Sequence, residues 1–186
     1  MNRLLFSVLK RVSSLAVLLS FGLIGISACS GEMAPQACLA PCYEAEAAVL
    51  RGAFVISESD LASGNAYVRT PERLETDISD HMEVPDPNDR LEFRLTEKPG
   101  TYAIKVWVAG KDLASDSFYV RVNDEPYFVY SFNNTGAIET YPEFIADFVR
   151  HGNDDPKLFV LDEQATLTFY LREAGAALDK LELIPR

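Results

Sequence analysis

The length, composition and charge of the chain limit what kind of protein it can be. Its 186 residues include 28 acidic and 17 basic side chains, which give a formal net charge of −11 at pH 7. This balance argues against binding to nucleic acid or to an anionic lipid face, whereas a divalent cation or a neutral polysaccharide meets no such repulsion. The length suits one domain with a single hydrophobic core.

Residues 1–28 have the pattern of a secretory signal peptide. Three basic residues precede an almost wholly apolar stretch over 12–25, and the first acidic residue is Glu32. The run Ile-Ser-Ala-Cys that follows resembles a bacterial lipobox, and this resemblance implies cleavage after Ala28 and acylation of Cys29. The alternative is an uncleaved membrane helix, but the apolar stretch is shorter than the ~20 residues that a span prefers. The cleaved chain keeps 14 basic and 28 acidic residues, a net charge of −14.

The lipobox resemblance also predicts where the protein resides. Two or three acyl chains, such as palmitate, on Cys29 hold a protein firmly at a membrane, whereas one chain binds only marginally. Ser30 follows the cysteine, in place of the aspartate that tends to retain a lipoprotein in the inner membrane. We therefore expect a lipid-anchored protein of the bacterial outer membrane, facing the periplasm or the cell surface.

Residues 29–42 read as the lipidated cysteine and a short tether of small and polar residues. Within the tether, Cys38 and Cys42 could form a disulfide, because the exported compartment permits one. A metal or redox pair is the alternative, but it would need further ligands nearby or the start of a helix. We predict a structural bridge just ahead of the first strand.

From residue 43 onward, short β-like runs alternate with turn signals such as Ser63-Gly64-Asn65. Several runs alternate apolar and polar residues, which is typical of half-buried antiparallel strands. The predicted runs are 43–50, 52–57, 65–69, 90–95, 101–109, 115–123, 127–132, 157–160, 166–172 and 177–184. Residues 142–150 fit either a short helix or a further strand. The pattern predicts an all-β fold, a single antiparallel β-sandwich of jelly-roll type over 43–186 with adjacent termini.

The sequence offers no catalytic motif. The two histidines, His81 and His151, lie in polar stretches that read as solvated loops. No nucleophile elbow, zinc-protease helix, Walker loop or dinucleotide fingerprint occurs. Among 28 acidic residues, a glycosidase-like carboxylate pair would be a matter of chance. We predict that the protein is not an enzyme and has no catalytic residue.

Acidic residues recur at the two ends of the predicted domain. In a strand, Glu44 and Glu46 point to the same side and repel each other unless a cation or buried partner holds them. Asp179 lies in the last strand, which is commonly a neighbour of the first in a jelly roll. Three oxygen ligands make a plausible Ca²⁺ site. On the residues alone, a solvated edge is the alternative.

These ends belong to a longer pattern that resembles the β-sandwich carbohydrate-binding modules of families 6 and 35. The matching segments are Glu-Ala-Glu at 44–46, Ala-Ser-Gly-Asn-Ala-Tyr-Val at 62–68, the run 99–108, Asp-Ser-Phe-Tyr-Val-Arg-Val-Asn at 116–123, and Arg-Glu-Ala-Gly-Ala-Ala-Leu-Asp-Lys-Leu-Glu-Leu at 172–183. The resemblance as a whole covers 43–185, nearly the whole predicted domain. The resemblance implies a non-catalytic sugar-binding sandwich with one structural Ca²⁺ held by Glu44, Glu46 and Asp179.

A sugar site needs aromatic rings for the apolar sugar faces and fixed polar groups for the hydroxyls. By resemblance, such groups lie on loops at one end of the sandwich or on a concave sheet face. The candidates are Trp107, Tyr119, Asn133, Asn134, Tyr141 and Arg172. Trp107 falls opposite Val106 and Val108 in the alternation, so it either stacks on a ligand or is buried under the second sheet.

The functional hypothesis is a lipid-anchored protein that binds a polysaccharide or oligosaccharide at the bacterial envelope without catalysis. The alternative is a structural or protein-interaction module without sugar binding. An enzyme is a third reading, which would require two carboxylates at glycosidase spacing in a cleft. No nucleic-acid partner is expected, and the sequence indicates no particular oligomeric state.

Overall fold

The computed structural model describes residues 41–72, 81–132, 141–152 and 155–186. These residues form twelve β-strands and two short 3₁₀ turns, Ala45–Ala47 and Ser63–Asn65, with no α-helix in the described part. The strands are β1 (Cys42–Glu44), β2 (Val49–Arg51), β3 (Val55–Glu58), β4 (Ala66–Arg69), β5 (Arg90–Arg94), β6 (Gly100–Gly110), β7 (Ser117–Val122), β8 (Phe128–Ser131), β9 (Ile145–Phe148), β10 (Leu158–Leu161), β11 (Thr166–Tyr170) and β12 (Ala176–Pro185).

Two antiparallel sheets form a sandwich, which confirms the predicted fold class. One sheet has seven strands in the order β10-β6-β12-β4-β3, with β1 also paired to β12 and β9 also paired to β6. The other has five strands in the order β2-β5-β11-β7-β8. The first strand lies beside the last, with Tyr43 opposite Leu181. The adjacent termini are therefore also confirmed.

The period-two alternation sets which side chains face the space between the sheets. Leu91 and Phe93 of β5 are paired with Phe169 and Leu167 of β11, and all four are at most 2% exposed. Inward-facing side chains of the other sheet complete this core, among them Ile104, Val106, Val108, Leu178, Leu181 and Leu183. Burial of these apolar side chains is the main stabilising term. The intervening residues of each strand therefore lie on the outer faces.

Two predicted segments differ from the structure. The single run predicted over 43–50 is two strands in different sheets, because β1 pairs with β12 while β2 pairs with β5. The 3₁₀ turn Ala45–Ala47 connects the two sheets, and its first residue, Ala45, is fully buried. The segment that fitted either helix or strand contains β9, which pairs with β6.

A buried polar contact joins the two sheets at β8 and β9. The hydroxyl of Tyr130 on β8 donates to Asp147 Oδ2 on β9 at 2.9 Å. Arg150 donates to the other oxygen of the same carboxylate at 2.6 Å. Burial, reinforced by this carboxylate, raises the pKa of Tyr130 well above its usual range. The hydroxyl therefore remains a donor, and each oxygen of the Asp147 carboxylate has a partner.

Several predicted features fall outside the described residues. These are the signal peptide, Cys29, most of the tether with Cys38, and the candidate pair Asn133 and Asn134. Cys42 is disulfide-bonded, and its partner lies outside the described residues, so pairing with Cys38 stays a prediction. Within the described ranges, no helix has the length and apolar character needed to cross a membrane.

Candidate calcium and carbohydrate sites

The fold brings the three predicted calcium ligands close to one another. Glu44 ends β1 and lies opposite Lys180 of β12. Asp179 occupies an irregularity in β12, where the register with β6 shifts between Leu178 and Lys180. Glu46 lies in the 3₁₀ turn and not in a strand as predicted. The bulge removes Asp179 from the strict alternation, so a residue of the last strand can face the start of the first.

Ser63, which the sequence did not single out, holds two of the three carboxylates. Its backbone N–H donates to Asp179 Oδ1 at 2.8 Å, and its hydroxyl donates to Glu44 Oε1 at 2.8 Å. Ser63 lies in the second 3₁₀ turn and is 1% exposed. This turn therefore connects the first and last strands through one residue. The serine lies in the segment that resembles the carbohydrate-binding modules, but nothing in the pattern indicated its bonds.

The raised pKa values of Asp179 and Glu46 show that negative charge is disfavoured at these two carboxylates. The pKa of Asp179 is raised from 3.8 to about 7, chiefly by burial, with the charges of Glu44 and Glu46 adding to the rise and the Ser63 amide and Lys180 opposing it. Burial also raises the pKa of Glu46, with Glu44 adding to the rise and its own backbone amide opposing it. The neighbouring carboxylates thus disfavour the charged forms of Asp179 and Glu46, which is the condition that a cation relieves.

The close surroundings of these carboxylates also include Gly64 and Lys180. A Cβ on Gly64 would lie 2.8 Å from Glu46 Oε1, so the glycine allows the carboxylate to approach the turn. Lys180 Nζ lies 3.4 Å from Ser63 Oγ and supplies one nearby positive charge. In the described part of the chain, no group of three or more His, Cys, Asp or Glu side chains has the geometry of a metal site. The three predicted calcium ligands are therefore near one another but are not arranged around a common metal position.

An open cleft lies beside this region. It has a volume of about 480 Å³ and is lined by Glu58, Ser59, Asp60, Gly64, Asn65 and Ala66. Its walls come from the end of β3 and the turn that precedes β4. Polar and acidic groups dominate the lining, and it contains no aromatic ring on which a sugar could stack.

Trp107 lies on the outer face of the seven-stranded sheet and is not buried between the sheets. It is half-buried, and the ammonium groups of Lys105 and Lys180 lie 4.5 and 4.9 Å from its ring centroid. Ammonium groups at this distance are attracted to the negative face of an indole. The indole therefore lies on the outer face of the sheet, with Lys105 two residues before it on β6 and Lys180 opposite it on β12.

Tyr141 packs on the same outer side of the seven-stranded sheet. It contacts a small apolar cluster formed by Ala62, Tyr67, Ala109 and Ala177. Its hydroxyl is buried and has no hydrogen-bond partner in the described part of the chain. Burial raises the pKa of the Tyr141 hydroxyl well above its usual range. The Tyr141 hydroxyl is therefore enclosed by the protein, where Tyr67 interacts with it.

Tyr119 and Arg172 lie together at the outer side of the five-stranded sheet. Tyr119 is 5% exposed, and its hydroxyl donates to the backbone oxygens of Met82 and Glu83 at 2.7 Å each. Arg172 lies over the Tyr119 ring at 5.9 Å and is paired with Glu173 at 2.5 Å. Both side chains thus already have protein partners. Little of the Tyr119 ring remains for a sugar.

The described candidates therefore form two groups on opposite outer faces and not one site. Trp107 and Tyr141 lie on the seven-stranded sheet, whereas Tyr119 and Arg172 lie at the five-stranded sheet. Alternation along one strand could not reveal this separation, because it does not indicate which sheet a strand joins.

Comparison with known proteins gives matches in structure only. No family model matches the chain, and no curated protein matches it in sequence. A family 35 carbohydrate-binding module from Clostridium thermocellum matches with a TM-score of 0.55 and 25% identity, over 77% of this chain and 97% of the module. A second such structure from the same organism, described as native, has a TM-score of 0.54 and 16% identity, over 78% of this chain and 97% of that one.

Larger proteins also contain this sandwich. The GH26-CBM35 β-(1,4)-mannanase of Podospora anserina matches with a TM-score of 0.55 and 16% identity. That match covers 78% of this chain and only 27% of the mannanase. The described chain is therefore a β-sandwich similar to family 35 carbohydrate-binding modules, and it spans nearly the whole of such a module.

Proposed function

We propose that this protein is a non-catalytic carbohydrate-binding module held by a lipid anchor at the bacterial outer membrane. The observation that supports it most is the extent of the structural match. The chain spans 97% of an isolated module at 25% identity, and only 27% of an enzyme that includes one. The chain thus matches an isolated module over nearly the whole length of that module.

The lipid anchor follows from the sequence of the first 29 residues. A positively charged start, a short apolar stretch and the Ile-Ser-Ala-Cys run support export, cleavage and acylation of Cys29. The tether over 29–42 is short, so the sandwich would be held close to the membrane surface. A glycan bound by the sandwich would then be kept at the cell envelope.

For the sugar contacts, we favour the outer face of the seven-stranded sheet. Trp107 supplies an aromatic ring with polar lysine neighbours, and Tyr141 packs on the same outer side of that sheet. An aromatic surface bordered by hydrogen-bonding groups is the combination that sugars need. Asn133 and Asn134 remain proposed contacts from the sequence. Tyr119 and Arg172 are proposed as supporting residues, because both are engaged within the protein.

We also propose that one structural Ca²⁺ is bound by Glu44, Glu46 and Asp179. The donors are all oxygen, which suits this ion, and neighbouring carboxylates contribute to the raised pKa values of Glu46 and Asp179. Glu46 Oε2 is buried without a hydrogen-bond partner in the described part of the chain. A bound cation would offset the repulsion and stabilise the contact between the first and last strands.

Calcium binding is tested by thermal unfolding. A ligand that binds only the folded state stabilises it by about 2.7 kcal/mol at a hundredfold excess over Kd. The melting temperature should rise with added Ca²⁺ and fall with chelator, and Asp179→Ala should remove most of this response. A melting temperature indifferent to chelator would mean that Lys180 alone balances the carboxylates.

Sugar binding is tested with a panel of neutral and acidic plant, algal and bacterial glycans. We expect retention of the full-length chain on at least one glycan and loss of that retention in Trp107→Ala. Val160→Ala is a matched control, since Val160 is a 76% exposed side chain of β10, at the edge of the same sheet. Absence of binding across the panel would instead favour a protein-interaction module.

A further inference from the structure

The outer face of the five-stranded sheet carries a set of arginines. Pairing places Arg51 of β2 opposite Arg90 of β5, and Arg94 of β5 opposite Thr166 of β11. Arg121 of β7 lies opposite Thr168 of β11. Their neighbours in sequence, Leu50, Leu91, Phe93, Val120 and Val122, belong to the core or pack on it. All four arginines therefore lie on the outer face, where Arg51 and Arg94 are exposed and Arg90 and Arg121 are half-buried. We name these four residues the arginine face.

Positive charge is segregated on this sheet. Its five strands contain four arginines and one acidic residue, Glu92, a net charge of +3. The strands of the other sheet have a net charge of −2, from Glu44, Glu58, Asp147, Asp179 and Glu182 against Arg69, Lys105 and Lys180. Charges farther away than about 8–10 Å are screened at physiological salt. A ligand on this face thus meets arginines, although the whole chain is acidic.

The fold makes little use of these charges. Like charges directly opposite each other on neighbouring strands are destabilising, and Arg51 and Arg90 are such a pair. In the described part of the chain, Arg90 has one ion pair, with Glu92 at 3.5 Å. Arg51, Arg94 and Arg121 have none among the described ion pairs, and Arg51 and Arg94 are exposed. Arg121 is positioned over the Tyr170 ring at 5.5 Å.

We propose that the arginine face binds an anionic polysaccharide whose repeating units carry carboxylate or sulfate groups. This inference rests on the proposed carbohydrate-binding function and adds to it a second surface, on the opposite sheet from Trp107, with its own ligand class. A guanidinium presents a planar fork of donors that matches a carboxylate or sulfate with two parallel hydrogen bonds. Arg90 and Arg94 are about 13 Å apart along one strand, and Arg51 is about 5 Å from Arg90 across the sheet. Fixed cations at such intervals suit a polymer with repeated anions better than one small anion.

The composition of the face favours a glycan over a lipid surface. Proteins that lie on membranes combine basic residues with apolar side chains that enter the acyl region. On the strands of this sheet, the one exposed large apolar side chain is Val49, at 36%. Of the other outward residues, Thr168 and Ser117 are buried, whereas Arg51 and Arg94 are exposed. The guanidinium groups are therefore the groups available to bond to a hydrated polyanion.

The test is affinity electrophoresis of the full-length chain, in detergent, against polygalacturonate and dextran sulfate, with neutral dextran as a blank. We expect retention on at least one polyanion and a loss of about tenfold or more in affinity in Arg51→Gln/Arg94→Gln, because charge-assisted contacts are lost. Lys98→Gln/Arg186→Gln makes the same charge change at exposed residues outside this sheet and should stay within about twofold of the wild type. Both variants should keep the wild-type melting temperature.

Four outcomes would overturn the proposal. Equal losses in both double variants would mean that net charge, and not the arginine face, determines binding. Retention on a neutral glycan without retention on either polyanion would refute this inference and leave the proposed function standing. Binding to phosphatidylglycerol vesicles through these arginines, without polyanion binding, would assign the face to the membrane. Absence of binding to every glycan would refute both proposals.

Discussion

The substitution Asp179→Asn should stabilise the metal-free protein at alkaline pH. Asparagine removes the negative charge and keeps an oxygen that can accept the Ser63 N–H, which lies 2.8 Å from Asp179 Oδ1. In the native protein, burial and the neighbouring Glu44 and Glu46 raise the pKa of Asp179 from 3.8 to about 7. The folded protein therefore holds a proton that the unfolded chain releases more readily.

The magnitude follows from that pKa shift. One pKa unit corresponds to about 1.4 kcal/mol, so ionising Asp179 in the folded protein would cost about 4 kcal/mol of folding free energy. Solvent reaches the half-buried neighbours Glu44 and Glu46, and screening there reduces the expected cost to about 2–4 kcal/mol. Because the folded pKa is the higher one, this cost is absent below about pH 4. It grows between about pH 4 and pH 7 and is complete at higher pH.

The assay is thermal unfolding in chelator at pH 5 and pH 8 with the disulfide intact. For a chain of this length, 2–4 kcal/mol corresponds to roughly 5–15 °C. We expect the variant to exceed the wild type by this amount at pH 8 and by much less at pH 5. Asp124→Asn is the matched control, since Asp124 is exposed and its charge is solvated. Saturating Ca²⁺ should stabilise the wild type more than the variant, so the difference between their melting temperatures at pH 8 should become smaller.

The reasoning would be refuted if Asp179→Asn were less stable than the wild type at pH 8 in chelator. That result would mean that Lys180 and Ser63 already stabilise the charged carboxylate. Calcium would then have no charge to offset at this residue.

The remaining predictions concern stability and are measured by urea unfolding. Tyr130→Phe should lower the free energy of unfolding by about 1.5–3 kcal/mol, because it removes a bond to a carboxylate. Tyr119→Phe loses bonds to neutral carbonyls and should lower it by about 0.5–1.5 kcal/mol. Equal losses in the two variants would contradict the role of Asp147. Gly64→Ala should lower the free energy of unfolding more than Gly152→Ala does. Both glycines have a positive φ near 60°, but only a Cβ at position 64 would meet a carboxylate. Equal losses would refute that contact. Phe169→Ala should cost about 3–5 kcal/mol, and a loss under 1 would contradict its full burial.

Much of the fold could be predicted from the sequence because alternation is a local property. Leu91 and Phe93 alternate with charged residues, and Leu167 and Phe169 alternate with threonines, so the buried side of each strand was evident before the structure. The run 43–50 was predicted as one strand because both of its halves are extended. Its division between two sheets depends on partners 39 or more residues away, which local patterning does not contain.

The candidate metal ligands were predictable as a group but not in their geometry. The resemblance brought Glu44, Glu46 and Asp179 together, and the structure places them near one another. The part played by Ser63 was not predictable, because it comes from a turn that joins the ends of the chain only after folding. The bulge at Asp179 likewise has no signature in an otherwise regular strand.

The candidate sugar contacts show a different limit. Residue type identified Trp107 and Tyr119 as possible stacking rings. Whether a ring stays available depends on its neighbours, and Tyr119 is covered while Trp107 remains on the outer face. The arginine face was missed for a related reason. Arg51, Arg90 and Arg121 are far apart in sequence, and only the order of strands in the sheet brings them together.

Binding of the full-length chain to an array of neutral and acidic glycans tests the central claim most directly. The account predicts selective, saturable binding to at least one glycan, and that the bound glycan is not cleaved during prolonged incubation. Absence of binding to every glycan, by a chain that is folded and calcium-saturated, would contradict it, as would release of shorter products from a bound glycan.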